Sequence, residues 1–276
     1  MNALTHPLPA AYRREIAAGP LFSRVNRTLD TQKLNTICVS GKCPNRGECF
    51  SRGSLAFMIL GDVCTRRCGF CAVKAGRPGG AVDWSEPLRL ARAAAQLALR
   101  HVVVTSVARD DLSDGGAGVF AECVRQLRIH LPSAVVEVLT PDYNGDTAAI
   151  DVVLNAQPDI FNHNIETVER LTPKARSKAT YRRSLEVLRY VKASSADGKK
   201  TKSGLMLGLG ETPEEVRRTL QDLRAAGCDY LTMGQYLQPS PRHLAVESFV
   251  PVEQFHFWKK EALALGPLRQ NALQKT

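Results

Sequence analysis

The sequence predicts an α/β fold, an open six-unit (β/α)6 partial TIM barrel preceded by an N-terminal extension. Two observations and one rule of chain handedness lead there. From about residue 55 onward, six short apolar or β-branched runs alternate in strict order with six longer segments of helical spacing. That order marks a parallel sheet with crossover helices. The runs are near-continuous in apolar residues, as in Val102-Val103-Val104, which suits a sheet covered on its outer face. Right-handed crossovers then wrap the helices around one side.

In chain order, residues 1–54 lack the strand–helix rhythm and read as the extension. Residues 55–250 read as the barrel. Its strands are Leu55–Leu60, His101–Ser106, Val135–Thr140, Asp159–Asn162, Ser203–Gly208 and Asp229–Gly234. Its helices fall near 86–100, 116–130, 146–156, 181–193 and 213–226, with a last one near 252–264. The helix at 213 is punctuated at both ends. Thr212 caps it, Pro213 sits in its first turn, Glu215 follows the cap by three, and Gly227 stops it. Residues 194–202 read as a polar surface loop. Residues 251–276 read as a C-terminal helix and short tail, with Phe255, Trp258, Ala262 and Leu265 on one buried face.

Composition narrows the function. Of 276 residues, 44% are hydrophobic and 23% charged, which excludes general disorder and fibrous structure. No run of about 18 apolar residues is present, so no membrane span is expected. Met1 to Pro20 has no apolar signal core, which argues against secretion and for the cytoplasm. Lys plus Arg is 37 against 27 Asp plus Glu, a net +10 that favours acidic partners. The basic residues form no long block, which disfavours nucleic acid. Of eight cysteines, six lie between Cys38 and Cys71, while Cys123 and Cys228 are isolated. Without an export signal, such clustering points to metal or redox chemistry rather than disulfides.

In parallel α/β barrels, chemistry collects where strands end. Here the strand ends carry Gly61-Asp62-Val63-Cys64, Thr105-Ser106, Thr140-Pro141-Asp142, Asn162-His163-Asn164-Ile165-Glu166, Gly208-Leu209-Gly210-Glu211 and Gly234-Gln235-Tyr236. Each alone reads as an ordinary turn or helix cap. Six in register with a cysteine cluster suggest a pocket in which Thr105, Ser106, Asn162, Asn164, Glu166, Gly208 and Glu211 offer hydrogen bonds to a polar ligand. His163 reads as a satisfied core histidine, and Cys123 and Cys228 as small core residues.

The sharpest motif is Cys64-x3-Cys68-x2-Cys71, directly after the first strand. Three thiolates on one loop can ligate three irons of a [4Fe–4S] cubane and leave the fourth open to a small molecule. Cys38-x4-Cys43-x5-Cys49 is a second triplet, with Gly41, Pro44, Asn45 and Gly47 to turn its loop. A second iron–sulfur cluster is the expected occupant, and a zinc knob is the competing reading.

These residues resemble a known family. Cys64-x3-Cys68-x-Phe70-Cys71 after an apolar strand resembles the signature of radical S-adenosylmethionine enzymes, and the chain as a whole is similar to the lipoyl synthases among them. The similarity rests on Cys38-x4-Cys43-Pro44-Asn45-x2-Glu48-Cys49, Gly61-Asp62-x-Cys64-Thr65-Arg66-x-Cys68, and Thr105-Ser106-Val107-x-Arg109-Asp110-Asp111. Asn162-His163-Asn164-x-Glu166-Thr167, Gly208-Leu209-Gly210-Glu211-Thr212 and Gly234-Gln235-Tyr236-Leu237-Gln238-Pro239-Ser240 extend it to about residue 255.

The resemblance implies two [4Fe–4S] clusters and S-adenosyl-L-methionine as cofactors. Cys64, Cys68 and Cys71 would hold the cluster that cleaves S-adenosylmethionine. Phe70 and the strand-end residues would border that cofactor, and Cys38, Cys43 and Cys49 would hold an auxiliary cluster that supplies sulfur. The substrate would be an octanoyl chain on a lysine of an acidic lipoyl carrier domain, sulfur entering at carbons 6 and 8. A donor such as ferredoxin or flavodoxin would supply electrons. The family closes with an Arg-Ser-Ser-Tyr run whose serine completes the auxiliary cluster. Here Gln270 and Asn271 stand in that place, and no Ser, Tyr or Cys follows Ser248. The expectation is a fourth iron left open or filled from outside, with Glu253, His256, Glu261 and the carboxylate of Thr276 as alternative ligands. A paralogue with altered sulfur insertion and a non-enzymatic iron–sulfur carrier are the competing functions.

Overall fold

A computed structural model describes residues 19–79, 81–194 and 199–266. In chain order the elements are α1 (Pro20–Gln32), β1 (Asn35–Thr36), α2 (Ile37–Ser40), α3 (Arg46–Ser51), β2 (Ala56–Ile59), β3 (Val63–Cys64) and β4 (Lys74–Ala75). Then come α4 (Glu86–Gln96), β5 (His101–Ser106), α5 (Ala117–His130), β6 (Val135–Leu139), α6 (Thr147–Asn155) and β7 (Ile160–Asn162). The chain closes with α7 (Thr172–Ala175), α8 (Tyr181–Ala193), β8 (Lys200–Leu207), α9 (Pro213–Ala225), β9 (Tyr230–Gln235) and α10 (Val252–Ala264). The fold is α/β with parallel strands and crossover helices, as the alternation predicts.

The chain forms two compact units. One comprises the described residues of Arg14–Arg66 and Val73–Phe161; the other, those of Arg67–Ala72 and Asn162–Thr276. In the first unit β1 pairs antiparallel with β2, through Asn35↔Met58 and Thr36↔Phe57. β2 runs parallel to β5 in register Ala56↔Val103, and β5 parallel to β6 in register His101↔Val135. A separate parallel ribbon pairs β3 with β4 and closes the base of the Cys64–Cys71 loop. Phe57, Val102, Val104, Phe120, Leu127 and Val138 are fully buried in this unit's core. In the second unit β8 and β9 are parallel in register Lys202↔Tyr230. Residues 163–166 run beside β8, Glu166 forming a parallel bridge to Leu205. Leu188, Leu205, Leu220, Leu231 and Trp258 lie in one buried cluster.

Several differences from the sequence reading have local causes. The extension is more regular than expected. α1 buries Val25, Thr28 and Leu29 on one stripe and ends where Lys33 turns left-handed, at φ 50°. α4 stops at Gln96 rather than continuing to 100, because Ala98 turns left-handed (φ 51°) and Leu99 N–H returns to Ala94 C=O at 3.1 Å. β8 begins at Lys200, inside the expected polar loop. Thr201 fixes that start, its hydroxyl donating to Gly227 C=O (2.8 Å) and its N–H to the Asp229 carboxylate (2.8 Å). The helices at 181–193 and 252–264 have the expected bounds. No helix among the described residues is long and apolar enough to cross a membrane.

Candidate active site

The Cys64 loop begins with a forced turn. After β2, Leu60 and Gly61 both adopt positive φ (69° and 92°), which swings the chain off the sheet. Leu60 N–H is satisfied by the buried Glu86 carboxylate at 2.9 Å. Cys64 then joins β3, and its Sγ accepts two backbone N–H bonds, from Ala108 (3.3 Å) and Arg66 (3.4 Å). Thr65 ties the same turn to the end of β5: its N–H and hydroxyl both donate to Ala108 C=O at 3.0 Å, and its hydroxyl meets Asp110 at 2.9 Å.

Arg66 locks this arrangement. Its side chain is 6% exposed and bridges Asp110 (2.7 Å) and the fully buried Asp142 (2.6 Å), with Asn144 accepting at 3.1 Å. Burial alone would weaken the guanidinium charge, but the two carboxylates outweigh it and push the pKa of Arg66 up.

The other half of the motif is held in the second unit. Gly69 N–H donates to Ala175 C=O (2.8 Å), Leu244 N–H to Gly69 C=O (2.9 Å), and Arg67 N–H to Ser177 Oγ (3.0 Å). A Cβ at Gly69 would sit 3.0 Å from Leu244 and 3.1 Å from Lys174 C=O, so a larger residue would have to push its neighbours aside. His243 Nε2 lies 3.0 Å from Cys71 C=O, and a carbonyl only accepts, so Nε2 carries the proton; Ser240 then donates to Nδ1 at 2.8 Å. Phe70 packs against the apolar cluster of this unit.

The second triplet is built from local contacts. Cys38 lies in α2, Cys43 in the following turn and Cys49 in α3. Thr36 caps α2, accepting from Val39 N–H at 3.3 Å. Cys43 N–H returns to Cys38 C=O (3.1 Å), and Cys49 N–H to Asn45 C=O (2.9 Å). Burial pushes the Cys38 thiol up to about 11, with smaller contributions from Cys43 and Cys49. Burial raises Cys43 and Cys49 as well. Iron must therefore displace protons from these thiols when it binds.

The strand-end residues divide by how fully the protein uses them. Thr105 donates to Leu139 C=O at 2.9 Å and so serves the sheet. Glu211 accepts from Gly208 N–H (2.5 Å) and Leu209 N–H (2.9 Å), closing its own turn. Ser106 Oγ is buried with no hydrogen-bond partner among the described residues. Asn162 is buried, and Asn164 fills the space where a Gly204 Cβ would stand, 2.7 Å from its Oδ1. Glu166 holds a positive φ of 68°, an uncommon strain for a non-glycine residue, while burial pushes its carboxyl up against the opposing pull of Arg176 and Asn164. A Cβ on Gly208 would lie 2.2 Å from Gln235 Nε2, so the backbone there is bare by necessity. His163 is buried with Ser184 Oγ 3.0 Å away, the satisfied core position expected of it.

The donor set fits iron–sulfur ligation. All eight cysteines are free thiols, and the six of the two triplets are half-buried while Cys123 and Cys228 are buried. Among the described residues no three Cys, His, Asp or Glu side chains close on a point as they would around a single ion. A cubane instead takes its thiolates one per iron, spread around the cluster. Two backbone N–H groups aim Cys64 Sγ, and the buried hydroxyl of Ser106 has no partner among the described residues.

A profile of the Radical SAM superfamily matches residues 58–223. The lipoyl synthase of Symbiobacterium thermophilum is 50% identical over 94% of this chain and 84% of its own length. That of Methylococcus capsulatus is 52% identical over 94% of this chain and 80% of its own. The chain belongs to the lipoyl synthase family. A mitochondrial lipoyl synthase of Nematostella vectensis is 48% identical over 94% of this chain and 88% of its own length.

More distant solved structures share the fold of this lipoyl synthase family member. Streptococcus suis SuiB bound to S-adenosylmethionine aligns with a TM-score of 0.61 at 10% identity, over 84% of this chain and 54% of its own. The hydrogenase maturase HydG aligns at 0.60 and 11% identity, over 77% and 50%.

Two groups in the site carry roles that the sequence reading did not assign. Arg66 is visible in the sequence only as a motif member and Asp142 only as a strand-end residue, and their pairing spans 76 positions. Gln235 holds the chain after β9, its amide donating to Ser248 C=O (3.0 Å) and its Oε1 accepting Val250 N–H (2.8 Å). The only advance signal was that each polar group falls at a strand end. The tail positions Gln270, Asn271 and Thr276 lie outside the described residues.

Proposed function

We propose that the chain inserts two sulfur atoms, at carbons 6 and 8, into an octanoyl chain borne on a lysine of a lipoyl carrier domain. The observation that carries this reading is the pair of half-buried thiol triplets, one at the end of the first parallel strand and one in the extension, in a chain of this family. Cys64, Cys68 and Cys71 would hold a [4Fe–4S] cluster with one iron open to S-adenosylmethionine. When bound, that pair supplies a one-electron cleavage giving a 5′-deoxyadenosyl radical able to take hydrogen from an unactivated carbon.

The chain's own residues orient and insulate. Arg66, through Asp110 and Asp142, fixes the turn that presents Cys64, and the Ala108 and Arg66 N–H groups orient its sulfur. Ser106 offers a hydroxyl to the nucleoside or amino-acid end of the cofactor, as do the polar groups of Asn162, Asn164 and Glu166. Gly208 leaves room for close backbone approach, and Thr105 and Glu211 keep their strand ends in shape. Phe70 screens the loop with apolar surface. Cys38, Cys43 and Cys49 hold the second cluster, which is a substrate here: its sulfide is what the product gains. A one-electron donor of ferredoxin or flavodoxin type completes the cycle.

The test is anaerobic turnover of an octanoylated lipoyl domain by the reconstituted protein, read by mass. The expected product gains two sulfurs with concurrent 5′-deoxyadenosine. S-adenosylmethionine cleavage without sulfur gain would identify an altered paralogue, and no cleavage at all a carrier.

A further inference from the structure

The second unit carries an uncommon block of charge around the loop that bears Cys68 and Cys71. Three segments meet there: residues 67–72, 172–183 and 236–246. Gly69 joins them by backbone, donating to Ala175 C=O and accepting from Leu244 N–H, and Arg67 and Cys71 add bonds to Ser177 and His243. Together the three segments hold seven Lys or Arg and no Asp or Glu, in a chain that has 27 acids. Arg67, Lys174, Lys178 and Arg242 are exposed, as is Arg182, which pairs with Glu186 at 3.3 Å just beyond the segment. Arg176 is turned to internal work on Asn164 C=O and Ser184 Oγ. Beside Lys174 opens a shallow cleft with an apolar floor of Leu171, Ala175, Leu209 and Leu244, and Glu247 is the one acid on its rim.

A solvated face normally mixes both signs, since like charges side by side repel. Here the excess stands on segments whose backbones are cross-bonded at one glycine, so the side chains spring from fixed positions. A net positive field of this kind steers an oppositely charged partner and fixes its orientation, and an apolar seat beside it supplies the desolvated contact that charge alone does not.

We propose that this basic rim is the docking surface for the acidic face of the protein domain that carries the octanoyl-lysine. It rests on the reading of the substrate as a carrier protein. Docking here brings the carrier against the loop that holds two of the three thiols of the S-adenosylmethionine cluster. The rim acts on the carrier and not on the octanoyl arm, so its effect is confined to substrates that bring a folded acidic surface.

The experiment compares the wild-type chain with Lys174→Glu/Lys178→Glu and with Arg242→Glu. Binding of the octanoylated carrier domain is measured directly, at low and high salt. Turnover is measured on that domain and on a short octanoyl-lysine peptide without acidic residues. Each variant is expected to weaken carrier binding and raise KM roughly tenfold at low salt, with the gap shrinking at high salt. Turnover of the peptide should be unchanged, which also shows that the variants are folded. Unchanged carrier binding overturns the proposal. So does an equal loss on the peptide, which would make the segments supports of the loop. Loss of single-stranded RNA binding with carrier affinity intact would reassign the rim to nucleic acid. If neither substrate is converted by the wild type, the sulfur-insertion reading fails, while the binding measurement still decides the rim.

Discussion

The two cysteine triplets differ in what holds them. The Cys64 turn is fastened by long-range bonds: to Ala108 and Asp110 at the end of β5, and to Asp142 beyond β6. The Cys38–Cys49 segment is fastened partly to itself, by the short returns to Cys38 and Asn45, and partly to the neighbouring sheet edge, through the Thr36 cap in β1 and a backbone bond from Ala56 to Cys38. A further tertiary anchor is Phe50, fully buried and 5.9 Å from the Phe22 ring of α1. A scaffold that must present one geometry through many cycles benefits from strand-end anchoring. A segment proposed to give up its cluster's sulfur benefits from short local bonds that can open singly.

Removing Arg66 should break the comparison most severely. Arg66→Met leaves the buried Asp142 and the partly exposed Asp110 without a cation, a cost of about 3–5 kcal/mol. Urea denaturation should show that loss, and S-adenosylmethionine cleavage should fall with it. Phe50→Ala should cost about 3 kcal/mol, the lower end for a buried phenylalanine, because the loop above can settle into the space. It should reduce iron bound at the auxiliary triplet while leaving S-adenosylmethionine cleavage near its original rate, a separation that iron analysis beside the cleavage assay can read.

Smaller changes sharpen the same contrast. Thr36→Ala removes the α2 cap at about 1 kcal/mol, and should speed loss of the auxiliary cluster to a chelator without affecting the other. Arg52→Ala removes an exposed pair with Glu48, 74% and 42% exposed, and should change stability by no more than about 0.5 kcal/mol. A large effect there would mean that the auxiliary segment leans on charge rather than on Phe50.

The sequence was most legible where structure is local or repeats. β5 and the helices α8 and α10 stand at the expected residues because their apolar periodicity and caps act within one element. It was less legible where tertiary contact decides. α1 shows helical spacing at Val25, Thr28 and Leu29, but its partners are α3 and α4, which the periodicity does not name. The two-residue β1 exists only by pairing with β2. In the site, residue types were readable but duties were not. Thr105 and Glu211 look like ligand contacts in sequence, yet their polar atoms close backbone bonds, whereas Ser106 keeps an unused hydroxyl. The Arg66 bridge joins charges 44 and 76 positions apart, beyond any local pattern.

The central claim is that one triplet keeps its cluster while the other gives its sulfur away. Mössbauer spectroscopy of the iron-57 protein through a single turnover, with the product weighed, tests it directly. The account predicts about eight irons in two [4Fe–4S] clusters beforehand. Afterwards one intact cluster should remain, held by Cys64, Cys68 and Cys71, alongside one lipoyl product per chain. Two intact clusters beside a full yield of lipoyl product would contradict it, as would survival of the Cys38–Cys49 cluster in place of the other.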